Sequence, residues 1–410
     1  MMKKAVAILI LFILFKLLTG QMEWIEVTDS CAWVRRANHT AVVFDNKLWI
    51  LGGWDFSNYF NDVWNSTDGV NWNCVTNAPG WSRRAFHTTV VHNNQIWLMG
   101  GHEGFGHYKN DVWNSADGIN WTRVIIAADW SMRFGHSAVS FNNKIWIMGG
   151  VEYFGYKNDV WFSTDGFSWT GACSSAAWQK RYLHASVVFD NKIWVLGGNG
   201  PSGDLNDVWY SSDGINWTCA TNSAEWPARQ NFSALVFDNK IWVLGGKSNG
   251  VNLNDVWYSY DGMNWFLATD SAGWETRFGL SGVAYDDKIW ILGGNNGNYC
   301  NDAWFSCGFV GLKGELVLKP VGFSVISPNP FKNSVKIGYY VGKPGTVKLS
   351  IYNRSGQRIK VLVNGQQESG LRIVEWTGTD DAFNPVRAGV YLLKLETKEL
   401  TITKKLIKTN

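Results

Sequence analysis

The sequence predicts an all-β protein, a six-bladed β-propeller followed by an immunoglobulin-like β-sandwich. Three observations carry that expectation. A unit of about 48 residues recurs six times, 24 of the 26 tryptophans fall on four positions of that unit, and beyond Gly308 tryptophan all but vanishes while lysine rises. With aromatic residues at 15% and only 8 prolines, the composition suits a β-rich globular chain rather than a disordered or collagen-like one.

The chain opens with Met1-Met2-Lys3-Lys4, an apolar run from Ala5 to Phe15 and small residues near Thr19-Gly20. A basic stretch, an apolar core and a small residue at a cleavage point make an export signal over residues 1–20, with a membrane anchor as the alternative. The run is too short to span a bilayer. The expectation is a soluble, monomeric protein outside the cytoplasm, with no integral membrane segment.

Residues 21–308 hold the repeat. In the fourth unit, His184 to Phe189 alternates small and apolar residues, Asp190-Asn191 makes a tight turn, and Lys192 to Leu196 is β-branched and aromatic, which reads as a hairpin. Gly197-Gly198 is expected to end that second strand, since glycine tolerates positive φ and close backbone approach. Asp207 to Ser211 follows as a third strand, Asp213-Gly214 as a second turn and Trp217 to Ala220 as a fourth strand. One such meander cannot cover both of its faces, but six packed around an axis can. The sixth unit stops at Ser306-Cys307-Gly308 without a fourth strand, whereas Glu23-Trp24-Ile25-Glu26-Val27 matches the fourth-strand segments. The amino-terminal strand is therefore expected to complete the last blade and remove an open edge.

The recurring Arg, His-Ser/Thr, apolar run, Ile-Trp-x-x-Gly-Gly and Asn-Asp-Val-Trp resemble the kelch repeat over residues 24–306. The resemblance implies a propeller with the histidine-bearing strand innermost. Ser66-Thr67-Asp68-Gly69-Val70-Asn71-Trp72, with equivalents from Ser115, Ser163, Ser211 and Ser259, is similar to the Asp-box turn of sialidases, one residue shorter, and suits a structural turn. Six cysteines in an exported chain invite a disulfide search. Cys74, Cys173 and Cys219 belong to separate blades and are expected to be free, whereas antiparallel pairing of the closing strand should bring Cys31 and Cys300 together as a disulfide.

Residues 309–325 read as a linker and 326–410 as the sandwich. Its strands are expected at 335–341, 346–352, 358–363, 372–376, 390–396 and 400–407, with turns at 342–345, 354–356 and Asn364-Gly365. Ser327-Pro328-Asn329-Pro330-Phe331, Leu349-Ser350-Ile351-Tyr352-Asn353, Trp376-x-Gly378, Ala388-Gly389-Val390-Tyr391 and Lys404-Lys405-Leu406 resemble the carboxy-terminal sorting domain of the bacterial type IX secretion system. That resemblance implies contact with secretion machinery and attachment to the cell surface; a passive spacer is the alternative.

From Gln21 to Gly308, 18 Lys+Arg stand against 27 Asp+Glu, and from Phe309 to Asn410, 16 stand against 7. The lysines of the basic part are scattered along alternating strands rather than clustered, which argues against nucleic acid. Whatever recurs in every unit is most simply structural. Arg36 and Asp62, each with five equivalents, read as ion pairs or backbone hydrogen bonds holding loops, with a charged channel mouth as the alternative, and His39, His87, His136 and His184 as packing residues or loop hydrogen-bond partners. Function is sought where the repeat breaks. The loops after the Gly-Gly pairs of blades one to three carry Trp54, Asp55 and Tyr59, then Glu103, Phe105, His107 and Tyr108, then Glu152, Tyr153 and Tyr156, an acidic and aromatic rim. Aromatic side chains beside carboxylates suit a glycan or a protein ligand, and mutual packing of the loops is the bland alternative. The rival function is a glycosidase or oxidase using Asp55, Glu103 and Glu152. The sequence contains no phosphate loop, Cys-x-x-Cys pair or His-Glu-x-x-His motif, so the leading expectation is non-catalytic binding with no cofactor or metal.

Overall fold

A computed structural model describes residues 22–104, 106–307, 322–327, 329–341, 344–368, 370–398 and 400–409; the expected signal segment and most of the expected linker lie outside them. The chain divides into two compact units, Met1–Gly311 and Leu312–Asn410.

The first unit contains six four-stranded antiparallel sheets. Blade one runs Thr40–Phe44, Lys47–Leu51, Val63–Ser66 and Asn73–Thr76 from the axis outward, and blades two to five repeat that order. The first strands of neighbouring blades contact one another all the way round, which makes them innermost. Blade six takes Ser281–Tyr285, Lys288–Asn295 and Tyr299–Cys307, and Glu23–Thr28 from the amino-terminal end of the unit supplies its outer strand. Trp24 stands opposite Ser306 and Glu26 opposite Trp304, so ring closure occurs as the repeat pattern requires.

Six apolar cores hold the ring, one between each pair of neighbouring blades. Between blades one and two, Val42, Trp49 and Leu51 meet Trp81, Ile96 and Leu98. The Trp49 indole donates to the Phe44 carbonyl at 2.8 Å. A side chain on Gly118 would come within 2.2 Å of the Trp49 ring, so the Asp-Gly turn of one blade needs glycine for room as well as for its φ of 73°. The Asp68 carboxylate organises the equivalent turn by accepting the Val70 and Asn71 amides at 2.8 Å. Burial alone would raise its pKa, but hydrogen bonds from Asn71, Val70 and Ser66 outweigh that and draw it down to about 2.

The recurring arginines and aspartates pair as expected. Arg133, fully buried, grips Asp159 through both terminal nitrogens at 2.7 and 2.8 Å and donates to the Gly149 carbonyl at 2.9 Å, while Trp161 donates to the same carboxylate at 2.8 Å.

Within the first unit, three expectations fail. In blades four to six the glycine pair does not end the second strand: Lys192–Gly200, Lys240–Ser248 and Lys288–Asn295 run through it, with a register shift between Leu196 and Gly198 absorbing the kink in blade four. The third strand of blade four accordingly starts at Gly203. The Cys31–Cys300 disulfide is not formed. Backbone proximity is present, since the Cys31 amide donates to the Asn301 carbonyl at 2.7 Å, but the Cys31 thiol is buried with Trp33, Trp72 and Leu292 while the Cys300 thiol faces the Asn298 carbonyl. Cys74, Cys173 and Cys219 are free.

The second unit is a sandwich of a three-stranded sheet, Gly322–Ser327, Val335–Val341 and Gly370–Trp376, and a four-stranded sheet, Arg358–Gln367, Gly345–Asn353, Gly389–Glu396 and Thr401–Lys408. Phe331, Leu349, Trp376, Tyr391 and Leu393 form part of its core. Its first strand begins inside the expected linker. Asn364-Gly365 is not a turn, because strand pairing carries straight through it to Lys348 and Val347.

Trp24→Ala removes a buried plate that meets Trp274 edge-on at 5.8 Å. It should lower the unfolding free energy by about 3–5 kcal/mol in urea melts; a loss below about 1 kcal/mol would mean the closing strand is dispensable. A second prediction concerns acid. Burial, helped by nearby arginines, pushes His39 and His136 down to about 3 and His87 and His184 well below the usual value. The folded state therefore holds neutral imidazoles, and their contribution is complete above about pH 6.5 and falls as pH drops toward the folded values. Stability should decline below pH 6.5 by up to about 1.4 kcal/mol per pH unit for each imidazole, and His136→Phe, which copies the residue type of Phe232, should flatten the profile by one such increment.

Candidate functional site

The loop after each Gly-Gly pair is held at its base by the next blade. In blade one, Gly53 donates to the Arg84 carbonyl and Arg84 donates to the Phe60 carbonyl, both at 2.9 Å. The two residues that follow each arginine then turn to the axis. The first of them bridges to the residue after the glycine pair of its own blade: Ala37 to Trp54, Ala85 to His102, Phe134 to Val151 and Tyr182 to Asn199.

The second residue of each pair builds a closed ring. Phe86 donates its amide to the Asn38 carbonyl, Gly135 to Phe86, Leu183 to Gly135, Asn231 to Leu183, Gly279 to Asn231 and Asn38 to Gly279, at 2.7–3.0 Å. All six adopt left-handed backbone, with φ of 51–64°. Below them lie His39, His87, His136, His184, Phe232 and Leu280, and the two layers bound an axial cavity of about 120 Å³. Three of the imidazoles tie neighbouring blades, His87 Nε2 to Thr40 at 3.0 Å, His136 Nε2 to Thr88 at 3.1 Å and His184 Nε2 to Ser137 at 2.8 Å. The histidines are therefore the packing and bonding residues the sequence indicated.

Around this mouth the aromatic side chains of blades one to three converge. Trp54 stacks with Tyr59 at 5.9 Å and Phe56 at 6.4 Å and meets Phe86 and Tyr299. Tyr59 meets His102 at 5.4 Å, His102 meets Phe134 at 4.5 Å, and Phe134 continues to Tyr108 and Tyr182. Tyr156 packs on Tyr182 at 5.4 Å. Trp54, Tyr59, Tyr108 and Tyr156 thus join one arc, whereas Tyr153 stands out at a hairpin tip beside the 91% exposed Phe154, and His107 is exposed on its loop. Phe105 lies outside the described residues.

The carboxylates are engaged within their own loops. Glu103 is paired with Lys109 at 2.8 Å and Glu152 with Lys157 at 2.6 Å. Burial would raise both carboxyls, but the lysines and the Ser82 and Ser131 hydroxyls hold them below the usual range. Asp55 accepts the Asn58 amide at 2.7 Å and the Ser57 amide at 3.1 Å, closing its own loop. Two of the three rim carboxylates thus have their charge compensated by lysines, and the third is held by amides of its own loop. Among the described residues, no group of three or more His, Cys, Asp or Glu side chains converges as metal ligands would.

Phe86, Phe134 and Tyr182 were not singled out from the sequence. Their signal was present: they occupy a variable dipeptide between two fixed landmarks, the recurring arginine and the histidine position.

Residues 11–150 and 135–306 match the family model for the KLHDC2/KLHL20/DRC7 Kelch-repeats domain, and residues 332–400 match the FlgD Ig-like domain. No curated protein matches the chain. With the match extending over both halves of the propeller, and each blade of the fold carrying the repeat it describes, the chain belongs to the kelch-repeat family, whose domains mediate protein binding.

Proposed function

We propose that this protein is a non-catalytic binding module that takes a protein partner on the aromatic face around the axial mouth. The arc from Tyr299 through Trp54 and Phe134 to Tyr182 supports the reading: it is a contiguous aromatic surface on hydrogen-bonded loop bases, with Glu103 and Glu152 beside it already paired to lysines. Sugar recognition needs free aromatic faces. Within the arc Trp54 stacks with Tyr59 and Phe56, and Phe86 with His102 at 5.1 Å, which leaves fewer free ring faces there and favours a polypeptide over a glycan. Hydrolysis is disfavoured as well, because a general acid must stay protonated near neutral pH and the pairing of Glu103 and Glu152 works in the opposite direction.

Export completes the proposal. The Met1 to Gly20 segment directs the chain out of the cytoplasm, and the carboxy-terminal sandwich, through its likeness to sorting domains of the type IX secretion system, carries it to the cell surface. Fractionation of the native cell with sequencing of the mature termini checks this. A protein retained in the cytoplasm with Met1 intact would end the export reading.

For the binding face, Tyr108→Ala combined with Tyr156→Ala should weaken a protein partner by about 30-fold or more in a calorimetric titration. A glycan-array signal that persists in this variant, with no protein partner captured by wild type from the native cell surface, would replace the protein reading with the glycan one.

A further inference from the structure

We propose that the pocket over blade six binds a primary alkylammonium group, in the place that a lysine of the chain itself occupies in blades two and three. Of the residues that line it only Tyr299 belongs to the aromatic arc, so the site stands apart from the binding proposed there.

The six blades can be compared position by position. The residue before each Asn-Asp is Phe60, Lys109, Lys157, Leu205 and Leu253 in the first five blades and Cys300 in the sixth. In blade one the Phe60 ring lies 4.3 Å from the buried Arg36 guanidinium. In blades two and three the lysine pairs with a loop carboxylate, Lys109 with Glu103 at 2.8 Å and Lys157 with Glu152 at 2.6 Å, and the Ser82 and Ser131 hydroxyls bond to the same two acids. Blade six retains an acid and lacks the lysine. Asn296 stands where the other loops have Glu103 and Glu152, Glu275 stands where Ser82 and Ser131 do, and the Asn296 side chain donates to the Glu275 carboxylate. Cys300 is too short to reach as Lys109 does, and Gly273, in the position of Asp129 and Glu225, adds no side chain to the wall. A pocket of about 470 Å³ is open here, within the range of roughly 300–1,000 Å³ that small ligands occupy.

The closing strand brings two more acids to the same pocket, Glu26 and Asp29. Among the described residues, none of Glu26, Asp29 and Glu275 pairs with a lysine or arginine. Arg277 beneath them is held by Asp302 at 2.7 Å, and Arg35 is the one further cation of the lining, so three carboxylates face one guanidinium. Burial, and then the Asp302 and Asp29 charges, raise the Glu26 pKa while Arg277 acts the other way, as expected where acids gather without a counter-ion between them. These acids do not converge as metal ligands would, so an extended organic cation suits them better than a bare ion. A primary ammonium offers three donors on a compact charge, enough to serve several carboxylates, and its alkyl stem would run beside Trp304 and Cys300.

The test uses the full-length protein in calorimetric titrations and thermal melts at near-physiological salt. Cadaverine should bind saturably with a Kd of about 1 mM or below and raise the Tm by about 2 °C or more at saturation, because the pocket joins the closing strand to the blade it completes; pentanoate should do neither. Glu26→Gln together with Glu275→Gln should weaken cadaverine by at least about 10-fold. Cys300→Lys, which copies Lys109, should abolish cadaverine binding while the Tm holds or rises, and Cys300→Ser, which leaves the space open, should bind within about 2-fold of wild type. Nα-acetyl-lysine amide separates two sources of the ammonium. Binding within about 10-fold of cadaverine assigns the site to a lysine side chain of another protein, and binding of cadaverine alone assigns it to a free amine. No saturable binding by either amine, equal binding of pentanoate, or unaltered affinity in the glutamine or the lysine variant would overturn the assignment. So would a Tm loss above about 5 °C in the Cys300→Lys protein, since the pocket would then reject an ammonium placed there by the chain.

Discussion

Six buried arginines are the constraint on which this propeller depends. Each side chain is at most 2% exposed and grips an aspartate of its own blade in a two-point geometry, while its backbone is bonded to the loop of the blade before. Arg84, for example, holds Asp111 and the Gly100 carbonyl with its guanidinium, and Gly53 and Phe60 with its peptide groups. A guanidinium this deep is costly to desolvate unless its donors are matched, and here carboxylate and carbonyl acceptors match them. Breaking one partner would strand a charge, so the knot is all or nothing. The same backbone pattern passes from blade six to blade one, where Gly294 donates to the Arg36 carbonyl and Arg36 to that of Cys300.

That knot fixes where loops begin and end but not what they contain. In blades four and five the chain continues as a paired hairpin beyond the glycines, with Gly198 opposite Leu205 and Gly246 opposite Leu253, so the sheet itself satisfies the loop backbone. In blades one and two the strands stop short, and in blade three only Val151 and Glu152 pair across with Gly155 and Tyr156. Side chains organise these loops instead: Asp55 caps its own turn, and Glu103 and Glu152 are tied to Lys109 and Lys157. These carboxylates thus tie irregular backbone together in the loops that carry the aromatic side chains.

This explains which features could be read from the chain and which could not. The tryptophan lattice was legible because each copy meets the same neighbours, and Trp24 revealed ring closure because its register to Trp33 is that of every other copy. The aromatic loops were legible as breaks in that regularity. The lysine partners of Glu103 and Glu152 were not, since Lys109 and Lys157 are six and five residues away in sequence and meet the acids only after the loop folds back. Cys31 and Cys300 show a similar limit: strand topology places their backbones side by side, but side-chain direction, which sends one thiol into the core and the other toward Asn298, depends on local twist. The left-handed ring escaped notice because Asn, Phe, Gly and Leu share no property except the φ they adopt.

The closed ring of amides also governs how the mouth can recognise anything. Six hydrogen bonds running in one direction around the axis use the amide donor of every ring residue and accept on every ring carbonyl, so a partner entering here is offered side chains more than main chain. A partner at the proposed face would therefore be recognised through side-chain contact rather than backbone pairing, for which the aromatic arc is suited. Because the ring is anchored in every blade, a partner at the proposed face would meet groups already in place, with little ordering to add. The fold therefore separates two tasks along each unit: the arginine, its aspartate and the tryptophans keep the blades in register, and the two residues between arginine and histidine decide what the axis presents.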